Sequence, residues 1–98
     1  MTSWKSTDDV LHIIAQEEWH DDAHIIGTVE GLIRLRDAIQ SALDAPNETQ
    51  KAIVMTNDGE GFFTLVRCVP ANHVDDIPRG YTADYAKDTR EFPEWFND

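Results

Sequence analysis

Two histidines and four carboxylates lie within eight consecutive residues, in the segment 17–24 with the sequence EEWHDDAH. On a helix His20 and His24 would share a face, because side chains four positions apart are neighbours there, and two such imidazoles can meet one metal ion. Asp21 or Glu17 would then supply a third ligand. The segment lacks the His-Glu-x-x-His order of zinc proteases, and in a loop the shared face disappears. A small metal-dependent enzyme is therefore only our second alternative, and we predict no metal ligand, cofactor or catalytic residue.

The charge of the chain favours a different role for the same segment. Eight Lys and Arg residues stand against 19 Asp and Glu residues, a formal net charge of −11 at pH 7, and residues 1–31 hold seven of the acids and one of the bases. Such a surface repels phosphate backbones and anionic membranes and attracts basic proteins. An aromatic residue inside an acidic rim is the usual energetic centre of such an interface. The predicted partner-binding residues are Glu17, Glu18, Trp19, Asp21 and Asp22.

We therefore predict a non-enzymatic acidic binding module that engages a basic surface of a partner protein, one that itself binds anions or nucleic acid. The carboxylates would take the place of phosphates on that surface. Neither direct nucleic-acid binding nor membrane binding is predicted. Small size, an excess of acids and the lack of catalytic motifs are shared by many inhibitory and immunity-type proteins, which is an analogy of class and not of family.

The alternative prediction is a homo-oligomer that binds or sequesters a small anionic ligand. The guanidinium of Arg79 would hydrogen-bond the anion, with the ring of Tyr81 beside it. A chain of 98 residues has little interior to spare, so a cleft between subunits is easier to build than an internal cavity. The ligand-binding residues predicted for this alternative are His73, Arg79, Tyr81 and Trp95.

Two further features suggest no chemistry of their own. The stretch 57–61 (NDGEG) lacks the Gly-Lys-Ser/Thr of a phosphate-binding loop and the distant Glu of a calcium loop, so it predicts a turn. Cys68 is the only cysteine, which excludes an internal disulfide, and its apolar neighbours predict a small buried side chain and not a nucleophile. No apolar stretch of signal-peptide type follows Met1, and together these features predict a cytoplasmic protein.

The clearest element is a helix from Thr28 to about Asp44, because apolar residues recur there at steps of three and four. Thr28 is the predicted N-cap, and Pro46 stops the helix. Gly31 weakens the first turn by up to about 1 kcal/mol relative to Ala, so we predict that it permits close packing against a neighbouring strand or loop. The apolar face consists of Leu32, Leu35, Ile39, Ala42 and Leu43.

Two pairs of segments predict β-hairpins, since β-branched and aromatic residues suit a half-buried pleated surface. The second pair flanks the Asp-Gly turn of residues 57–61, which supplies the positive φ of a tight reversal. In the first pair, Thr7-Asp8-Asp9 also resembles a helix start, so residues 10–19 remain open between strand and helix; their β-branched side chains favour the strand. The predicted strands are 10–16, 23–27, 51–56 and 62–69.

These elements predict an α+β fold in which one central helix packs on a small, mainly antiparallel sheet, in the order strand, strand, helix, strand, strand. Residues 1–98 form a single domain, because two units would each be too small to fold alone. Residues 70–98 are predicted to be a largely irregular tail that wraps the same domain, with a short helix capped by Thr82. The three aromatic residues within 92–96 are predicted to dock on the body of the protein and not on a partner.

Overall fold

A computed structural model describes residues 9–97 and has the predicted α+β architecture. The long helix α1 (Val29–Asp44) follows a first hairpin and precedes a second, so the predicted order of elements is confirmed. Residues 1–8 and Asp98, which the single-domain prediction includes, lie outside the described residues. The elements are β1 (Leu11–Ile14), β2 (His24–Gly27), α1 (Val29–Asp44), β3 (Gln50–Met55) and β4 (Gly61–Val66), followed by 3-10 turns at Ala71–Asp76 and Glu94–Asn97.

The strands form two antiparallel two-stranded sheets, so the predicted small sheet is divided. β1 pairs with β2 along its whole length, and β3 pairs with β4 in a register that places Ile53 opposite Phe63. The two sheets meet at a parallel bridge between Val10 and Met55. The bridge joins the residue before β1 to the last residue of β3. His12 of β1 also accepts the Asn57 N–H, just beyond β3, at 3.0 Å.

The segment before α1 forms a β-hairpin, in which β1 pairs with β2, and not a helix. Residues 11–14 form β1, which confirms the favoured strand, and the helix alternative for residues 10–19 is wrong. β1 ends two residues before the predicted end, and β4 ends at Val66 instead of Val69. Beyond β4, the carbonyl oxygen of Cys68 accepts a hydrogen bond from Asn47 N–H at 3.0 Å, so this backbone pairs with the segment after α1 and leaves the sheet.

The start of α1 is tied directly to Val10, the residue that precedes β1. The hydroxyl of Thr28 accepts the Gly31 N–H at 3.2 Å, which confirms the predicted N-cap. The same oxygen accepts the Val10 N–H at 3.1 Å, and Thr28 N–H donates to the Val10 carbonyl at 3.0 Å. A single threonine therefore caps the helix and anchors the strand, since its hydroxyl oxygen has two lone pairs.

Replacing Thr28 by alanine is expected to lower the free energy of unfolding by about 1–2 kcal/mol, because two backbone N–H groups lose their acceptor. Urea unfolding followed by circular dichroism measures the change. Thr28→Ser keeps the oxygen and is expected to keep most of the stability. Equal losses in the serine and alanine variants would show that the methyl group matters and the capping bond does not.

The core is small and lies between α1 and β3. Leu11 and Val54 are its fully buried large side chains, and the core cluster is completed by Leu35, Ala38 and Ala52. The opposite face of the second hairpin is open, because Ile53 and Phe63 are each more than half exposed.

The chain after β4 is irregular, as predicted, and contacts the first hairpin. Thr82 N–H donates to the Gln16 carbonyl at 3.1 Å, and Ala83 N–H donates to the Glu17 carbonyl at 2.8 Å. The predicted short helix after Thr82 is a single turn, closed by Lys87 N–H on the Ala83 carbonyl at 2.9 Å. The Thr82 hydroxyl donates to the Gln16 carbonyl at 3.4 Å, which ties the start of this turn to the first hairpin.

Candidate functional site

The loop between β1 and β2 is organised by its own hydrogen bonds. Glu18 N–H donates to the Asp21 carboxylate at 3.2 Å, and Gln16 Nε2 donates to the Asp21 carbonyl at 2.8 Å. His20 has a φ of 67°, in the left-handed region that few residues other than glycine adopt. Trp19 lies in this turn, between Glu18 and Asp21, which are joined by the hydrogen bond from the Glu18 N–H to the Asp21 carboxylate. The carboxylate of Asp21, predicted to face a partner, therefore also holds the loop.

The tail brings two tyrosines to Trp19. The ring centroid of Trp19 is 6.4 Å from that of Tyr81 and 5.7 Å from that of Tyr85, in edge and tilted arrangements that aromatic pairs prefer. Trp19 is nevertheless 49% exposed and Tyr85 is 65% exposed. The backbone bonds of residues 82–83 to the loop hold this cluster at the surface.

Carboxylates accompany this aromatic cluster on both segments. Glu17 and Asp22 of the loop are exposed, and the side chain of Asp84 in the tail is 98% exposed, with Lys87 Nζ at 3.3 Å. We call this combined surface the Trp19 face. It consists of Glu17, Glu18, Trp19, Asp22, Tyr81, Asp84 and Tyr85.

The structure changes the membership of the site predicted from sequence. Tyr81 was assigned to the small-ligand alternative and instead packs on Trp19, while Tyr85 and Asp84 were assigned to no site. The sequence predicts a short helix capped by Thr82 in this segment, but it does not predict which part of the protein the segment contacts. Their contact with Trp19 depends on where the tail docks, and local sequence carries no signal for that.

His20 and His24 do not form the metal-binding pair that a helix would have created. His20 lies in the loop and His24 begins β2, so the two imidazoles share no helix face. Within residues 9–97, no group of three or more His, Cys, Asp or Glu side chains is placed to hold a metal ion. The second alternative, a metal-dependent enzyme, consequently gains no supporting geometry from these residues.

The ligand-binding residues predicted for the first alternative lie in three places. Arg79 and Trp95 line one groove of about 530 Å³ near β4. His73 lies in the first 3-10 turn with Nδ1 3.5 Å from the carboxylate of Asp76, and Tyr81 is at the Trp19 face. The described part of one chain forms this groove by itself, so a ligand site there does not require the predicted oligomer.

A buried carboxylate holds the segment that forms one wall of this groove. The Asp88 side chain is 1% exposed and lies 2.7 Å from Arg90 Nη2, and it also accepts the Arg79 N–H at 2.9 Å. The Arg90 guanidinium donates to the carbonyls of Asp75 at 2.7 Å and Ile77 at 3.0 Å. Hydrogen bonds from the Arg90 side chain, and then from the N–H groups of Arg79 and Arg90, hold the pKa of Asp88 well below its ordinary value.

Asp88 is expected to make the protein less stable as the pH falls below about 4, the ordinary pKa of an aspartate. Its pKa is lower in the folded state, so the unfolded state binds the proton first. The stabilisation contributed by the ionised Asp88 carboxylate is fully present above the unfolded-state pKa of about 4. It is lost progressively as the pH falls toward the lower pKa of the folded state. Urea unfolding at about pH 5 and about pH 3 should show a smaller loss for Asp88→Asn than for the wild type.

Asp84→Asn is the matched control for this pH effect, because the Asp84 side chain is almost fully exposed. It should show the same pH dependence as the wild-type protein. Identical pH dependence in the wild type and in Asp88→Asn would contradict the assigned role of Asp88.

Comparison with models of known protein families, with curated proteins and with solved structures yields no match for this chain. The described residues also contain no helix that combines the length and the apolar character needed to cross a membrane. Functional assignment therefore depends on the geometry and charge of the sites themselves.

Proposed function

We propose that this protein is a non-enzymatic binding module whose Trp19 face docks on a basic surface of a partner protein. The observation that supports this most is the half-exposed Trp19 ring, which packs on Tyr81 and Tyr85 beside several exposed carboxylates. Exposed aromatic clusters of this kind mark interaction surfaces, since a monomer gains nothing from leaving them in water.

The two parts of the face have different roles in association. Its carboxylates, together with the net charge of −11, accelerate encounter with a positively charged surface and orient it. Trp19 then supplies the buried anchor, and its ring also suits an Arg or Lys side chain of the partner. Because the loop is already held by the Asp21 hydrogen bonds, little ordering remains to be done on binding.

The partner surface that fits best is one that otherwise binds phosphate groups. Carboxylates spaced along a surface present the same sign of charge as a nucleic-acid backbone, so occupation by this module would block that site. This is the action of an inhibitor or an immunity-type protein. A cytoplasmic location agrees with a chain whose single cysteine cannot form an internal disulfide.

Affinity capture with matched variants tests the proposal. The wild type, Trp19→Ala, and the double variant Glu17→Lys/Asp22→Lys are immobilised and exposed to native lysate at low salt. The control is Asp44→Lys/Glu48→Lys, which makes the same change in net charge at exposed positions outside the face. We expect to find proteins that bind to the wild type and to the control but to neither face variant. Added salt should release these proteins from the wild type.

Two outcomes would contradict the proposal. If the face variants and the control lose the same proteins, capture depends on net charge and not on the Trp19 face. If proteins are retained equally by every variant, the partner binds elsewhere. Melting curves of all four proteins accompany the experiment, so that unfolding of a variant is not mistaken for lost binding.

A further inference from the structure

The first hairpin leaves apolar side chains in water on both of its faces. Ile13 and Ile25 lie opposite each other on one face, and Ile14 and Ile26 lie on the other. Each of these four isoleucines is about half exposed, between 48% and 57%. Two strands alone are marginally stable in water, and additional strands or a covered face stabilise them. The hairpin therefore carries more apolar surface than the rest of the described chain covers.

The outer edge of β2 is unpaired. Thr28 N–H donates to the Val10 carbonyl, and hydrogen-bonded pairs alternate with non-hydrogen-bonded pairs along antiparallel strands. In the register of this hairpin Ile26 is bonded to its opposite residue in β1, whereas Ile25 is not bonded to Ile13. The N–H and C=O of Ile25 consequently point away from β1. Within residues 9–97, β2 pairs with no strand other than β1.

This edge also lacks the features that keep sheet edges apart in most soluble proteins, which are lysines, prolines and bulges. Neither β1 nor β2 contains Asp, Glu, Lys, Arg or Pro, and their pairing has no bulge. The chain as a whole has a net charge of −11. Two copies of such a protein repel each other least where their surfaces carry no charged side chain, and the β2 edge is a surface of that kind.

We propose that two copies of this chain associate through β2, with the two strands antiparallel about a twofold axis at Ile25. The N–H and C=O of Ile25 then bond to Ile25 of the second copy, and Ala23 pairs with Gly27 of the second copy. The two hairpins become one four-stranded sheet. On one of its faces, Ile13 and Ile25 of both copies form a continuous row of four isoleucines, the kind of cross-strand contact that stabilises a sheet.

The antiparallel arrangement also keeps the acidic loops of the two copies apart. Asp22 lies three residues from the axis, so the two Asp22 positions are about 20 Å apart along the strands. This separation exceeds the Debye length of about 8 Å at physiological ionic strength. The Trp19 face contains none of residues 23–27, so the proposed dimer does not depend on the function proposed for that face.

Sedimentation velocity over a wide range of protein concentration tests the proposal. β2 has only four residues, so the contact belongs to the class below about 1,200 Å² and the dimer is expected to dissociate on dilution. Ile25→Lys should weaken the dimer about tenfold or more, because two ammonium groups would lie opposite each other at the axis. Ile53→Lys is the matched control, since Ile53 is a 59% exposed isoleucine in β3. It should dimerise as the wild type does, and so should Trp19→Ala.

Amide hydrogen exchange of the wild type locates the interface. The Ile25 N–H points to water in the monomer and is bonded in the dimer, so its exchange should slow as the concentration rises. The Ile26 N–H is bonded within the hairpin in both states and should change less. Three results would each overturn the proposal: a wild type that sediments as a monomer at every concentration, equal weakening by Ile53→Lys and Ile25→Lys, or equally fast Ile25 exchange in monomer and dimer. The exchange result decides even if Ile25→Lys fails to fold.

Discussion

Replacing Gly31 by alanine is expected to lower the free energy of unfolding by about 3 kcal/mol or more, since overpacking against rigid neighbours is among the most damaging single changes. A Cβ on Gly31 would lie 2.0 Å from the carbonyl oxygen and 2.6 Å from the carbonyl carbon of Val10. Both are backbone atoms and cannot rotate away. In an unpacked helix the same substitution would stabilise by about 1 kcal/mol, so even the sign of the effect tests the packing.

The damage is expected to extend beyond the helix. Val10 is bonded to Thr28 and forms the bridge to Met55, so moving it away from α1 disturbs the connection between the two hairpins. Urea unfolding of Gly31→Ala measures the loss. Gly80→Ala is the control, because a Cβ there meets nothing within 4 Å, and its stability should change by less than about 0.5 kcal/mol. A Gly31→Ala protein as stable as the wild type would refute the close approach.

Trp19→Ala is expected to weaken binding to a captured partner by about 30-fold or more, equivalent to about 2 kcal/mol. The Trp19 ring contacts both tyrosines of the face and is about half exposed, so truncation removes a large apolar surface that a partner would bury. Trp19→Phe should lose less, because a smaller ring can still occupy the same pocket. Isothermal titration calorimetry measures the affinities.

The same substitution is expected to change stability little, since about half of the Trp19 side chain is already in water. The melting temperature of each variant is the accompanying measurement. If Trp19→Ala binds the partner with wild-type affinity, or loses affinity only in proportion to a large fall in melting temperature, Trp19 is not the anchor.

Local patterns were sufficient to predict most elements of this fold. The helix and its N-cap Thr28 follow from residues within a few positions of one another, and both are confirmed. A glycine in the first turn also predicted a close approach there, although the neighbour itself, the backbone of Val10, is distant along the chain. The turn of the second hairpin is likewise local, with Gly59 at a φ of 92°. Periodicity, capping and turn chemistry are all short-range effects, which is why they can be read from a sequence.

The composition of the sites depends instead on long-range contacts. Trp19 meets Tyr81 and Tyr85 only because the tail pairs with the loop, and Arg67 meets Trp95 only because the tail returns to β4. The spacing of residues along the chain does not predict such long-range contacts. For this reason the acidic residues and Trp19 could be singled out from the sequence, whereas the tyrosines beside Trp19 and the contact of Arg67 with Trp95 could not.

The most direct test of the Trp19 face is a nuclear magnetic resonance titration of ¹⁵N-labelled protein with the captured partner. We predict that the largest changes occur in the Trp19 indole N–H and in the backbone of residues 17–22 and 81–85. Those signals should be the ones restored when salt dissociates the complex. Changes confined to the open face of the second hairpin, around Ile53 and Phe63, with residues 17–22 unaffected, would contradict the account.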